Sequence, residues 1–220
     1  MQKFLSEFWD LVEEYKALAE AGKIAADEYL TTLFKEQEGQ LNKMLLKEVA
    51  RWKTGGRTVP LVEKNLEKNI ASANQALHDK TMTVEERLGA LCKLKGVRLP
   101  TASAILAFFE PEKYTVIDYR VCEFLCNICG VEFGGRPLNP QDINHWDRYQ
   151  RECNELLEKI NNTLERKATL RDLDRAMWMY HKKHPEEFQT IGFSFENIFN
   201  RFAHSYVNQI ELGKAPDIPF

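Results

Sequence analysis

Apolar residues return every three or four positions along almost the whole chain, a spacing that makes helices the bulk of any fold it can adopt. Phe4, Leu5, Phe8, Leu11, Val12 and Tyr15 lie on one helical face, so the first helix ends before Gly22. The same pattern predicts helices over 27–37 and 40–52, a break at Thr54-Gly55-Gly56, and a helix opened by Pro60 that runs to about Leu77. Thr83 and Glu86 have capping-box spacing and start a helix through about Lys93. Further helices are expected over 119–129, from the Asn139-Pro140-Gln141-Asp142 start to about Asn161, from the Thr169/Asp172 cap, and from about Phe195 to Leu212. The Thr169-capped helix carries Leu173, Ala176, Met177 and Tyr180 as a stripe. Turns fall at Gly130, Gly134-Gly135 and Pro137, and the tail APDIPF is expected to be extended. The one β-type run, YTVID (114–118), has nothing to pair with and reads as a connector. The expected fold class is all-α, with nine or ten helices and no internal repeat.

A chain of 220 residues with 44% hydrophobic content can bury a sizeable core. It contains no apolar run of about 18 residues, and its amphipathic, acidic N-terminus suits neither a signal peptide nor a membrane span. A soluble cytoplasmic monomer with no membrane association is expected. Cys92, Cys122, Cys126, Cys129 and Cys153, odd in number and without a secretory signal, are expected to be reduced thiols. A net charge of −3 argues against nucleic-acid binding by bulk electrostatics, so any such binding must be local. Two clusters offer it: Lys43, Lys47, Arg51, Lys53 and Arg57 along one stretch, and Lys93, Lys95 and Arg98 along another. Each is equally readable as a solvated helix face.

The second cluster surrounds a turn with its own logic. Gly96 lets the backbone reverse tightly, Val97 plugs the turn into the core, and the small residues Ala102 and Ala104 let two helices approach closely. Backbone N–H groups at the start of the second helix are left without intrahelical partners and can hold a phosphate without reading a base. After that helix the chain reads Val116-Ile117-Asp118 and turns helical again.

Over roughly residues 83–130, this stretch resembles the helix-hairpin-helix superfamily of base-excision DNA glycosylases (HhH-GPD). There the pattern runs roughly L-P-G-V-G-x-K-T-A, then an apolar helix, a short loop, and V-D heading the next helix. Here it reads Leu94-Lys95-Gly96-Val97-Arg98-Leu99-Pro100-Thr101-Ala102, with Asp118 following 18 positions after Pro100. The resemblance implies two helical lobes. One spans 22–112 and contains the hairpin at 91–108; the other combines 1–21 with 113–220 and has Asp118 at the junction. It implies Asp118 as the catalytic carboxylate, and Lys95, Gly96, Val97, Arg98 and Thr101 as the residues that bind the backbone of double-stranded DNA. It also implies base release from a flipped nucleotide by a monofunctional glycosylase. Arg98 stands where a second hairpin glycine is usual, so a positive φ there would strain the turn. Pro100 stands at the position of the Schiff-base lysine of backbone-cleaving members and cannot form an imine. With no C-x6-C-x2-C-x5-C near the C-terminus, no iron–sulfur cluster is expected, and no cofactor or metal.

A carboxylate in a partly dry cleft stabilises the positive charge that builds on the sugar as an N-glycosidic bond breaks, or activates water against it. Aromatic faces would replace the lost stacking, and Trp52, Trp146, Trp178 and Tyr119 are available. Asp118 is equally an N-cap, and the two roles coexist. Cys122, Cys126 and Cys129 fall at i, i+4 and i+7 of one helix among apolar residues, which reads as core thiols rather than a cluster motif. His181 and His184 sit with Lys182 and Lys183 at a helix C-terminus, where positive charge is favourable. Two rival functions remain: a catalytically silent DNA-binding relative, and a helical interaction protein that uses the hairpin only for packing.

Overall fold

The structure, a computed structural model, describes residues 1–22, 27–132 and 141–188. Met1–Lys183 forms one compact unit and His184–Phe220 a second, of which His184–Phe188 is described. The turns at Gly134-Gly135 and Pro137, the Asn139-Pro140 helix start, the helix expected from Phe195 and the tail lie outside the described residues.

The first unit contains α1 (Gln2–Glu20), α2 (Glu28–Glu36), α3 (Lys43–Thr54), α4 (Val59–Val62), α5 (Glu67–His78), α6 (Val84–Cys92), α7 (Leu99–Phe109), α8 (Tyr119–Cys129), α9 (Trp146–Thr163) and α10 (Leu170–Lys183). No strand occurs among the described residues, as the periodicity predicts, and no described helix is long and apolar enough to cross a membrane. The expected face of α1 is buried except for half-buried Leu5, and the Phe4 ring lies 4.6 Å from that of Phe124 and 5.4 Å from that of Tyr180. This joins α1 to α8 and α10. The Leu173, Ala176, Met177 and Tyr180 stripe of α10 is buried throughout. A second group of helices, α2, α3 and α6, packs on α7, whose residues from Thr101 to Phe108 are all buried.

The expected helix from Pro60 to Leu77 is two helices, with residues 63–66 between them. Continuing the helix would satisfy those backbone groups locally, but the Asn65 side chain has a stronger use. Its amide donates to the Val62 and Lys95 carbonyls, both at 2.9 Å, and its oxygen accepts from the Lys95 N–H at 2.8 Å. Asn65 is buried, so these bonds fasten the break between α4 and α5 to the α6–α7 turn. The Thr83 capping box forms as predicted, with the Thr83 hydroxyl accepting from the Glu86 N–H and the Glu86 carboxylate accepting from the Thr83 N–H.

The α6–α7 turn is a hairpin with one left-handed residue. Gly96 has φ +80°, and a Cβ there would lie 2.9 Å from the Thr58 carbonyl oxygen and 3.0 Å from Leu61 Cβ. Arg98, the position expected to suffer from lacking glycine, has φ −118° and ψ 174°, extended geometry that any residue adopts. No strain arises there. Pro100 lies in the first turn of α7, where its missing N–H is not needed.

The connector 114–118 is extended without a partner strand, as read from the sequence, and side chains satisfy its backbone instead. The Thr115 N–H donates to Gln150 Oε1 (3.2 Å), the Val116 carbonyl accepts from the Tyr149 hydroxyl (2.7 Å), and the Ile117 N–H donates to the Ser103 hydroxyl (3.1 Å). Gln150 and Tyr149 belong to α9 and Ser103 to α7, so the connector is held from both sides.

The cysteines depart in part from the core reading. Cys122 and Cys153 are buried, whereas Cys126 and Cys129 are half-buried, because the inward face of α8 centres on Val121, Phe124 and Leu125. Burial pushes the Cys129 thiol up to about 12 and the Cys92 thiol up to about 11, so neither is a thiolate at neutral pH.

Gly96→Ala combines a disfavoured φ with contact against Thr58 backbone. A loss of about 2 kcal/mol in urea unfolding is expected. Wild-type stability in this variant would show that the hairpin is not held against residues 58–62.

Candidate functional site

Asp118 is the N-cap of α8: Oδ1 accepts from the Val121 N–H at 3.1 Å, and the backbone is extended at φ −148°. Its other oxygen, Oδ2, faces Lys53 Nζ at 3.3 Å. Lys53 comes from the last turn of α3, so the two charges meet across 65 residues of sequence. Side-chain exposure is 11% for Lys53 and 17% for Asp118, which leaves the pair largely but not wholly dry.

Burial alone would raise the Asp118 pKa. The Lys53 charge, the Val121 N–H and the Arg120 charge outweigh it and hold the carboxyl below its ordinary range. Burial drives the Lys53 ammonium the other way, below its ordinary value, and the Asp118 charge only partly offsets it. The result is an ionised carboxylate beside an amine that gives up its proton more readily than a surface lysine.

Two short paths tie this pair to the hairpin. Ser103, whose hydroxyl holds Ile117, is the fifth residue of α7, about 7.5 Å along the helix axis from Arg98 at about 1.5 Å per residue. Asp118 follows directly, so it hangs from the hairpin end of α7. Lys53 lies five residues before Thr58, whose carbonyl abuts Gly96, and the Thr54 and Thr58 hydroxyls meet at 3.2 Å to brace the turn between them.

The residues expected to bind DNA divide into two sets. Lys95 and Arg98 are exposed, as is Lys93, and none of the three has an ion-pair partner among the described residues. Val97 and Thr101 are buried at 4% and 3% exposure, and their N–H groups donate to the Leu94 and Arg98 carbonyls. The Lys95 N–H is taken by Asn65. The N–H groups of Gly96, Arg98 and Leu99 have no acceptor among the described residues, and Leu99 itself is buried. In the other basic stretch, Lys43 pairs with Glu67 (2.9 Å), Lys47 with Glu63 (2.6 Å) and Arg51 with Glu48, which cancels much of its local field.

The aromatic candidates also separate. Trp146 is buried at 1% exposure against Tyr149 and Tyr114, and cannot receive a base. Trp52, Tyr119 and Trp178 are half-buried. The Arg120 guanidinium lies 4.6 Å from the Tyr119 ring centre and 5.1 Å from that of Trp178, while Lys53 Nζ lies 5.7 Å from that of Trp52. Behind them Arg171 and Arg175 both pair with buried Asp27, and Arg171 also lies 5.4 Å from the Trp52 ring. His181 does not simply serve the helix end: its Nε2 meets the Glu123 carboxylate at 2.5 Å.

The sequence places Lys53 only in a basic cluster, because nothing in KMLLKEVARWKT singles it out from Lys43 and Lys47 as the partner of Asp118. The chain matches no known protein-family model, no curated protein and no solved structure.

The folded-state pKa of Asp118 lies below its unfolded value near 3.9, so its stabilising share is complete above that pH and disappears as pH falls through the folded value. Asp118→Asn removes that share. Between about pH 5 and pH 2 the urea midpoint of the variant should fall less than that of the wild type. Parallel acid profiles would contradict the ion-paired assignment.

Proposed function

We propose that this chain is a helix-hairpin-helix DNA glycosylase-like base-excision repair protein that hydrolyses the N-glycosidic bond of a base flipped out of a duplex. The observation that carries the reading is the suspension of an ionised Asp118 carboxylate from the hairpin end of α7. Phosphate oxygens would be held by the Gly96, Arg98 and Leu99 N–H groups, with Lys95 and Arg98 adding charge from the exposed side of the turn. Asp118 stabilises positive charge on the sugar as the base departs, and its partial burial strengthens that interaction relative to water. Trp52, Tyr119 and Trp178 are the aromatic faces available to an unstacked base. With proline at position 100, no imine forms on that residue.

The Lys53 ion pair favours a second reading. An ammonium at 3.3 Å neutralises the carboxylate, which suits a scaffold that binds DNA, or a helical partner, without catalysis.

Base release and binding separate the two. On a panel of duplexes that each carry one damaged base, Asp118→Asn should lower release by about a hundredfold or more while duplex affinity at low salt stays the same. Lys95→Glu or Arg98→Glu should weaken binding and flatten its salt dependence by about one unit of slope. Release unaffected by Asp118→Asn would remove the carboxylate from the chemistry. Salt-dependent binding without release on any substrate selects the silent reading, and no binding at low salt selects the interaction protein.

A further inference from the structure

The opposite ends of α3 and α7 from the Asp118 region carry a separate feature. Lys43 opens α3 about 15 Å from Lys53 along the helix axis, at about 1.5 Å per residue, and Phe109 closes α7 at the end away from the hairpin. Between α2 and α3 the chain turns through Glu38 (φ +52°) and Gly39 (φ +73°). Gly39 lies so close to α5 and α7 that a Cβ there would be 2.8 Å from the Phe109 ring and 3.5 Å from the His78 ring. Phe109 and His78 are the last residues of α7 and α5, and their rings meet edge-on at 4.9 Å. The C-termini of α2, α5 and α7 therefore meet at this loop, and each brings a partial negative charge of about half an elementary charge.

Beside the loop is a solvent-open recess of about 420 Å³, lined by Gln40, Asn74, Gln75, His78 and Asp79. Its loop wall is fixed. The Leu41 N–H donates to Asn74 Oδ1 and the Asn74 amide to Gln40 Oε1, both at 2.7 Å, while His78 Nε2 lies 3.2 Å from the Gly39 carbonyl oxygen. The other wall keeps acceptors unused. Asp79 Oδ1 accepts from the Thr81 hydroxyl and N–H, which holds the carboxyl below its ordinary range, and Oδ2 has no partner among the described residues. The Gln75 side chain has none there either. No lysine or arginine lines the recess, so nothing within it answers the carboxylate and the three helix ends.

Such a lining selects a cation with several N–H donors. His78 and Asp79 are not joined by a third carboxylate, thiol or imidazole close enough to hold a metal ion. An ammonium is a point charge with three donors, whereas a guanidinium is always charged, presents five donors in one plane and stacks on flat rings. We propose that this recess binds a guanidinium group, with Asp79 Oδ2 and Gln75 Oε1 as its acceptors and the exposed His78 ring as its flat neighbour. The group belongs to an arginine side chain of another polypeptide or to free arginine. The site uses neither the hairpin nor the Lys53–Asp118 pair, so it stands or falls apart from the glycosylase-like reading.

The test is a nuclear magnetic resonance titration of the full chain with N-acetyl-arginine amide, with N-acetyl-lysine amide as the control cation. The amide signals of Gln40, Asn74, Gln75, His78 and Asp79 should move and saturate with the arginine compound, and the lysine compound should bind at least about fivefold more weakly. Asp79→Asn should weaken binding of the arginine compound about tenfold. Because that change also touches the Thr81 turn, Gln75→Glu on the exposed face of α5 gives an independent reading. A second carboxylate there should tighten binding about fivefold while the thermal unfolding profile stays that of the wild type. Shifts spread over the acidic faces without saturation, equal affinity for the two compounds, or affinity unmoved by both variants would overturn the proposal. A capped Gly-Arg-Gly peptide that binds more tightly than free arginine identifies a polypeptide partner, and the reverse order a small-molecule ligand; both outcomes retain the guanidinium site.

Discussion

A largely buried pair of opposite charges ties the end of α3 to the start of α8. Lys53 and Asp118 come from helices far apart in sequence, and their removal from water must be offset by close geometry and by further hydrogen bonds. The offset is visible. The Val121 N–H takes the second carboxylate oxygen, the Trp52 ring lies within 5.7 Å of the ammonium, and Ser103, Tyr149 and Gln150 fix the connector that delivers Asp118. Without the connector held in this way the carboxylate would have no fixed partner. The hairpin is fixed by a parallel device: Asn65 binds both backbone groups of Lys95, and Gly96 fits against Thr58 where a side chain would not.

These two anchors share the start of α7, and so local order at the hairpin becomes order at the charged pair. Helix α7 is suited to that task because it is buried from Thr101 to Phe108 and cannot shift without disturbing α2, α3 and α6 together. Its buried Ser103 hydroxyl accepts from the connector's Ile117 N–H and converts a packed helix into a positioning element.

The sequence carried the local rules well. The Thr83 capping box, the Asp118 cap, the burial stripes of α1 and α10, and the unpaired character of 114–118 all follow from residue type and spacing. What it did not carry were bonds made over long separations. Asn65 looks like one more polar position in a helix until Lys95 is beside it, and so the helix predicted to run through 60–77 breaks instead. Lys53 looks like its basic neighbours until Asp118 faces it. Arg98 stands where glycine is usual, and its extended φ removes any need for glycine there. Trp146 offered the same aromatic face as Trp52 and Trp178, and only packing shows that it lies too deep to be used.

The central claim is that the free amides of the hairpin and the Lys53–Asp118 pair make up a single site. Nuclear magnetic resonance titration with a duplex containing an abasic analogue that cannot react tests this directly. The amide signals of Gly96, Arg98 and Leu99 and the Lys53 side-chain signals should move together and saturate at the same DNA concentration. Hairpin amides that respond while Lys53 stays still, or Lys53 signals that move only at much higher DNA concentration, would contradict it.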